Sequence, residues 1–212
     1  MKILAAEVGR FRAWETSHPI PGRSGEWECE YEFWPALYNA VCEFVDAIPF
    51  ESWSEAELRD VLYSIARDNE CQYLAKTLRE LHPEVIVLLA RASLRLGERD
   101  DRWQLAVELG NLSAIADAEQ LLLTMAQDEH EYVRRRALQS LVQIGSPSVE
   151  QLALAAWHQP DECQEWSRMN ALFCLKKIAS PNLEPLVSEA ENDSRPHLRA
   201  YAERIRQGES LD

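Results

Sequence analysis

The chain has 212 residues, of which 22 are basic and 36 acidic, for a formal net charge of −14. With 46% hydrophobic and 27% charged residues it has the make-up of an ordinary folded protein, long enough for one large domain or two small ones. Glycines (7) and prolines (10) are too few for a collagen, a Gly-rich β-protein or a disordered linker, and the acid excess argues against nucleic acid and anionic membrane as partners.

The first residues, Met1 to Glu7, hold an apolar run too short for a signal peptide, with Glu7 and Arg10 close behind. No stretch approaches the roughly 18–20 uncharged residues that span a bilayer. The cysteines Cys29, Cys42, Cys71, Cys163 and Cys174 are odd in number and form no CxxC pair. They read as reduced thiols, and the expected location is cytoplasmic. His18 to Gly25 is dense in turn residues and reads as a loop. Glu26 to Phe33 alternates acid and apolar at a strand period, yet Trp27, Tyr31, Trp34 and Tyr38 also fall at helix spacing. Pro35 fits poorly inside one long helix. The expectation is an extended or broken lead-in, a helix from about Trp34, and residues 1–33 packed as a cap over the first helix pair.

From Trp34 onward apolar residues recur at helical steps: Leu37, Val41, Phe44 and Ile48; Leu58, Val61, Leu62 and Ile65; Leu74, Leu78 and Leu81; Val85, Leu88, Leu89, Ala92 and Leu96. Ser54 and Glu57 have the spacing of a capping box. His82-Pro83, Ser146-Pro147 and Ser180-Pro181 place proline at expected first helical positions. Ten or eleven short helices are expected, with almost no strand signal.

The second half repeats itself. Ala137-Leu-Gln-Ser-Leu-Val-Gln-Ile-Gly-Ser-Pro147 aligns without gaps on Ala171-Leu-Phe-Cys-Leu-Lys-Lys-Ile-Ala-Ser-Pro181, an offset of 171 − 137 = 34. An acid stands six residues before an arginine in each unit: Asp128 and Arg134, Glu162 and Arg168, Asp193 and Arg199. In the third copy Glu203 and Arg206 replace the apolar residues, as a terminal unit facing water requires. A degenerate earlier copy runs through Arg102, Leu105, Ala106, Leu109 and Leu112.

This pattern of acid, arginine, Ala-Leu-x-x-Leu-x-x-Ile-Gly/Ala, Ser-Pro and a second amphipathic helix resembles the HEAT repeats, over about residues 100–206. The resemblance implies an all-α fold, a right-handed α-solenoid of antiparallel helix pairs whose second helices line the concave side. It also implies a protein-binding scaffold. A single domain over 1–212 is expected, with the lead-in at 1–33, degenerate helix pairs at 34–99 and repeats at 100–206.

Catalytic signatures are missing: the sequence has no Gly-rich phosphate loop, GxSxG, HExxH or CxxC. His130-Glu131 is the one pair that suggests a helical-repeat di-iron hydroxylase, but Gln164 and Glu165 stand at the next unit's equivalents. A helical-repeat DNA glycosylase would suit the seven tryptophans but needs a basic groove. No catalytic residue, metal or cofactor is therefore expected. The three repeat arginines read as structural ion pairs fixing register, with Arg135 and Arg136 solvated. Trp34, Trp103 and Trp166 read as packing anchors.

The acids carry the functional expectation. Ten lie between Glu26 and Asp60, Glu28, Glu30 and Glu32 among them, against the one base Arg59. Asp117, Glu119, Glu150, Glu184, Glu189 and Glu191 fall on or near second helices, with Trp157 and His158 at the end of one. Together these are the candidate contacts for a basic protein partner, such as a cognate toxin neutralised by an immunity protein. A general assembly scaffold or adaptor is the alternative.

Overall fold

The computed structural model describes residues 2–19, 22–23, 26–115, 117–160 and 164–209. Cys163, Glu162 and part of the loop at 18–25 lie outside the described residues. The described residues hold twelve α-helices and no strand, so the fold is all-α and of the α-solenoid class. None of these helices is long and apolar enough to cross a membrane. The chain divides into two compact units, Met1–Glu108 and Leu109–Asp212.

In the first unit, α1 (Lys2–Thr16) precedes a 3₁₀ turn at Trp27–Glu30, then α2 (Trp34–Ala47) and a second 3₁₀ turn at Phe50–Ser52. α3 (Glu55–Arg67), α4 (Tyr73–Leu81), α5 (Pro83–Leu96) and α6 (Arg99–Leu109) follow. α1 packs against α2 and α3 through Leu4, Val8 and Phe11, all buried. Phe11 sits among Tyr31, Trp34 and Tyr63, with ring centroids 4.6, 5.1 and 6.0 Å away. The alternating Glu26–Phe33 segment makes neither a strand nor an α-helix. Trp27 and Tyr31 turn inward while Cys29 and Phe33 stay exposed; Trp27 stacks on Trp14 at 5.3 Å and the Trp34 indole donates to the Glu28 carbonyl at 2.8 Å.

α2 begins at Trp34 as the Pro35 argument requires, and Ser54 with Glu57 forms the capping box of α3. α6 is buried on nearly every side although it carries Asp101, Arg102, Gln104 and Glu108. Most of these find partners: Gln104 donates to the Ile65 carbonyl at 2.6 Å, Glu108 accepts from Arg79 at 2.5 Å, and Arg102 donates to the Gly97 carbonyl. Asp101, like the Gln104 side-chain oxygen, is only partly satisfied. One carboxylate oxygen accepts from the Glu98 backbone N–H at 2.5 Å, while the other is buried without a hydrogen-bond partner. Burial pushes its pKa up to about 8, against the pull of that N–H and of Arg102.

The second unit contains α7 (Ala118–Met125), α8 (Glu131–Gln143), α9 (Val149–His158), α10 (Gln164–Lys177), α11 (Leu183–Ala190) and α12 (Pro196–Arg206). α8 with α9 and α10 with α11 are the two repeats read from the sequence. Val133, Ala137, Leu138, Ser140 and Leu141 are buried in α8, and Ser167, Ala171, Leu172, Cys174 and Leu175 in α10. Each pair is again offset by 171 − 137 = 34. α12 buries only Leu198 and Ala202, leaving Glu203 and Arg206 to solvent.

α8 and α10 each end in a Schellman motif. The Ser146 N–H bonds back to the Leu141 carbonyl and Gly145 to Val142; Ser180 bonds to Leu175 and Ala179 to Lys176. The residue in left-handed conformation is Gly145 in one case (φ 72°) and Ala179 in the other (φ 51°). Pro83 opens α5 as expected, but Pro147 and Pro181 stand two residues ahead of α9 and α11, in the turn. The preceding serines explain the shift. The Ser146 hydroxyl accepts from the Ser148 N–H and the Ser180 hydroxyl from the Asn182 N–H, which holds the chain in a turn before the helix starts. Gly110 is required by close approach, since a Cβ there would lie 2.8 Å from the Ser140 hydroxyl.

Candidate protein-binding surface

Glu119, Glu150, Glu184, Glu189 and Glu191 are engaged within the second unit. Glu119, Glu150 and Glu184 are the second residues of α7, α9 and α11, where a helix N-terminus favours negative charge. Glu119 accepts from the Ser146 hydroxyl at 2.6 Å. Glu150 accepts from Ser180 at 2.5 Å and from the Asn182 side chain at 3.1 Å, and these two bonds hold its carboxyl below the usual range. Glu184 bonds to Arg206 of the terminal helix, which also takes both oxygens of Glu191 at 3.0 and 3.1 Å. Each second helix thus reaches the following unit through its first turn. The Ser-Pro serine hydroxyl is the donor in two of the three cases.

Glu189 lies beside the Arg168 guanidinium at 3.4 Å and accepts the Trp157 indole N–H at 3.4 Å. Trp157 is fully buried. Arg168 covers its ring at 4.6 Å and donates to its carbonyl at 3.1 Å. A side chain enclosed in this way presents no contact surface, so its place is in the repeat core. His158 and Asp117 are exposed.

The repeat arginines clamp loops. Arg134 donates to the carbonyls of Asp128 and Glu129, and Arg199 to that of Asp193 at 2.7 Å. The acids turn the other way, onto backbone N–H groups: Asp128 accepts from His130 and Asp193 from Arg195. Arg168 does form an ion pair, at 3.1 Å with Asp193 of the next unit. Together with Arg195, it holds the Asp193 carboxyl far below its ordinary value.

Trp166 is a surface residue, 45% exposed. It is one position ahead of the buried Ser167 and lies on the flank of α10, stacked on His197 at 6.0 Å. Arg135 lies over the Tyr132 ring at 4.7 Å and the Trp166 ring at 5.8 Å, so it is half-buried rather than solvated. Tyr132, Trp166 and His197 occupy the same repeat position in successive units, and at 45% exposure Trp166 is not the packing anchor expected of it.

In the first unit the acids are placed differently. Glu28 is buried, and desolvation raises its pKa. Glu30 is exposed, 4.0 Å from His18. The carboxylates of Glu32, Glu43, Glu51 and Glu84 are exposed and take no ion pair or side-chain hydrogen bond among the described residues. Asp46 accepts from His82 at 2.6 Å. Between the end of α2 and the start of α5 lies a cleft of about 340 Å³, bordered by Asp46, Glu51 and Glu84.

No group of three or more metal-capable side chains occurs among the described residues. His130 precedes α8 and Glu131 pairs with Arg135 at 3.1 Å.

Among curated proteins none matches the chain. Residues 87–166 match the family model of HEAT repeats. The match runs from within α5 through α6, α7, α8 and α9 to the start of α10. Residues 87–166 are thus similar to HEAT repeats, and the 34-residue period of the positions buried in α8 and α10 carries that likeness on through α10.

Proposed function

We propose that the chain is a non-enzymatic binding module that holds a basic protein partner against the acidic surface of its first unit. HEAT repeats are helical scaffolds for protein interaction, which sets the mode of action. One observation carries the choice of surface and partner: Glu32, Glu43, Glu51 and Glu84 are exposed and unpaired, whereas Glu119, Glu150, Glu184 and Glu191 are engaged within their own unit. Unpaired like charges on a folded surface cost self-repulsion and speed encounter with an oppositely charged partner. An immunity protein docking a toxin with a cationic substrate groove fits this description.

The experiment is affinity purification of the tagged chain from its native cell, followed by mass spectrometry at low and high salt. One stoichiometric basic partner, released by salt and by charge reversal at Glu32, Glu43, Glu51 and Glu84, is the expected result. Several weak partners of mixed charge would favour the general scaffold. Binding that ignores both salt and charge reversal would refute the acidic-surface reading.

A further inference from the structure

The cleft beside α5 combines features that a merely solvated acidic face does not need. Its wall is apolar, formed by Ile48, Phe50, Val85 and Leu88, and three carboxylates, Asp46, Glu51 and Glu84, stand on its rim. Glu84 lies in the first turn of α5, where the helix dipole favours it. Asp46 does not have that excuse. It lies in the last turn of α2, where the dipole disfavours a carboxylate, and it is held there by the imidazole of His82. Glu51 sits on the 3₁₀ turn between α2 and α3, with no partner for its carboxylate among the described residues. A volume of about 340 Å³ is at the low end of the roughly 300–1,000 Å³ of ligand pockets, which suits one or two anchoring side chains and not a folded lobe.

We infer that this cleft seats an arginine-bearing, partly apolar segment of the protein partner, the arginine stem lying on the wall and its guanidinium reaching Glu51 and Glu84. The chemistry of each part selects this occupant. A long basic side chain buries its methylenes on apolar surface while keeping its charge at the edge. The planar guanidinium can take carboxylates in bidentate fashion and can stack on the Phe50 ring. A lysine-rich segment would gain only the point charge. An acidic or purely aliphatic segment would meet the unpaired carboxylates.

This inference rests on the acidic-surface reading and sharpens it to one site. It is tested with the full-length chain and a labelled synthetic peptide carrying two arginines around a leucine, read by fluorescence anisotropy. A second peptide has lysine for arginine and a third has glutamate. Glu51→Gln and Glu84→Gln are exposed, isosteric changes, and Glu203→Gln on α12 is the control; circular dichroism melting checks that each variant folds. Each cleft variant should weaken the arginine peptide about fivefold and the pair more than tenfold, with the control within about twofold. The lysine peptide should bind more weakly than the arginine peptide, and the glutamate peptide not at all. Equal losses in all three variants, or none in any, would overturn the cleft assignment while leaving the acidic-surface reading intact. Failure of every cationic peptide to bind, at low salt as well, would overturn both. A dimer on sizing that dissociates on Glu51→Gln would show a second copy in the cleft and overturn the proposed occupant.

Discussion

Gly145 and Ala179 occupy the same position one repeat apart, and their exchange is a test of the repeat geometry with its own control. Both have positive φ, and both close Schellman motifs with the same pair of backbone bonds. The left-handed conformation costs an L-residue about 1–2 kcal/mol. Glycine avoids that cost but gives up about 0.4–1 kcal/mol through the larger entropy of its unfolded chain. Ala179 is exposed and so loses no packing on truncation, and a Cβ on Gly145 would meet nothing within 4 Å. Only the backbone balance remains. Ala179→Gly should therefore stabilise by about 0.5–1 kcal/mol and Gly145→Ala should destabilise by a similar amount. At about 2–4 °C per kcal/mol for a chain of this size, calorimetry should show shifts of roughly 1–4 °C in opposite directions. The double exchange should melt near the wild type. A destabilising Ala179→Gly would mean that the second repeat does not end in the left-handed turn, and the alignment of the two repeats would fail at its most specific point.

Three other outcomes are expected. In a double-mutant cycle, Glu119→Gln and Ser146→Ala should couple by about 1 kcal/mol, since one hydrogen bond to a charged group joins α7 to the turn before α9; additive losses would remove that bond from the account. Asp101, with its pKa raised to about 8 from 3.8, holds a proton in the folded state that the unfolded chain has released. Its stabilising contribution is therefore present at low pH and is lost as pH rises through about 8. Asp101→Asn should flatten the fall in melting temperature between about pH 4 and 8, and an unchanged slope would refute the buried-proton reading. Finally, an aromatic disulfide reagent should label Cys29 and Cys71, both exposed, in the native protein. Cys174, buried and with its thiol pushed well up by desolvation, should react only on unfolding; its native labelling would contradict the packing of α10.

The elements legible in the sequence were those whose signal is periodic. The α8 and α10 cores repeat position by position because each buried residue meets its neighbours in the same way in each unit, and α12 departs from them where Glu203 and Arg206 break that pattern. The capping box at Ser54 and the start of α2 at Trp34 were legible because each rests on local chemistry. α1 was not. Its buried stripe is only Leu4, Val8 and Phe11, interrupted by Gly9 and without a capping signal, and it is a helix by virtue of the aromatic cluster that receives Phe11. Alternation in Glu26–Phe33 pointed to extended chain for a similar reason. The inward placement of Trp27 and Tyr31 comes from Trp14 and Phe11, which are far away in sequence.

The candidate site shows why charge counted along a chain is a poor map of charge available to a partner. Sequence position assigns Glu150 and Glu184 to the concave surface, yet they align at the repeat offset of 34, as do the serines Ser146 and Ser180. A polar residue that recurs with the repeat is under the same constraint as a core residue, and here the constraint is the hydrogen bond from one unit to the next. Non-periodic acids are free of that demand. Glu32, Glu43, Glu51 and Glu84 have no such internal duty, and Asp46 stands where its own helix disfavours it. In a repeat protein the acids that break register are therefore the better guide to binding, and Glu32, Glu43, Glu51 and Glu84 are such acids in the first unit.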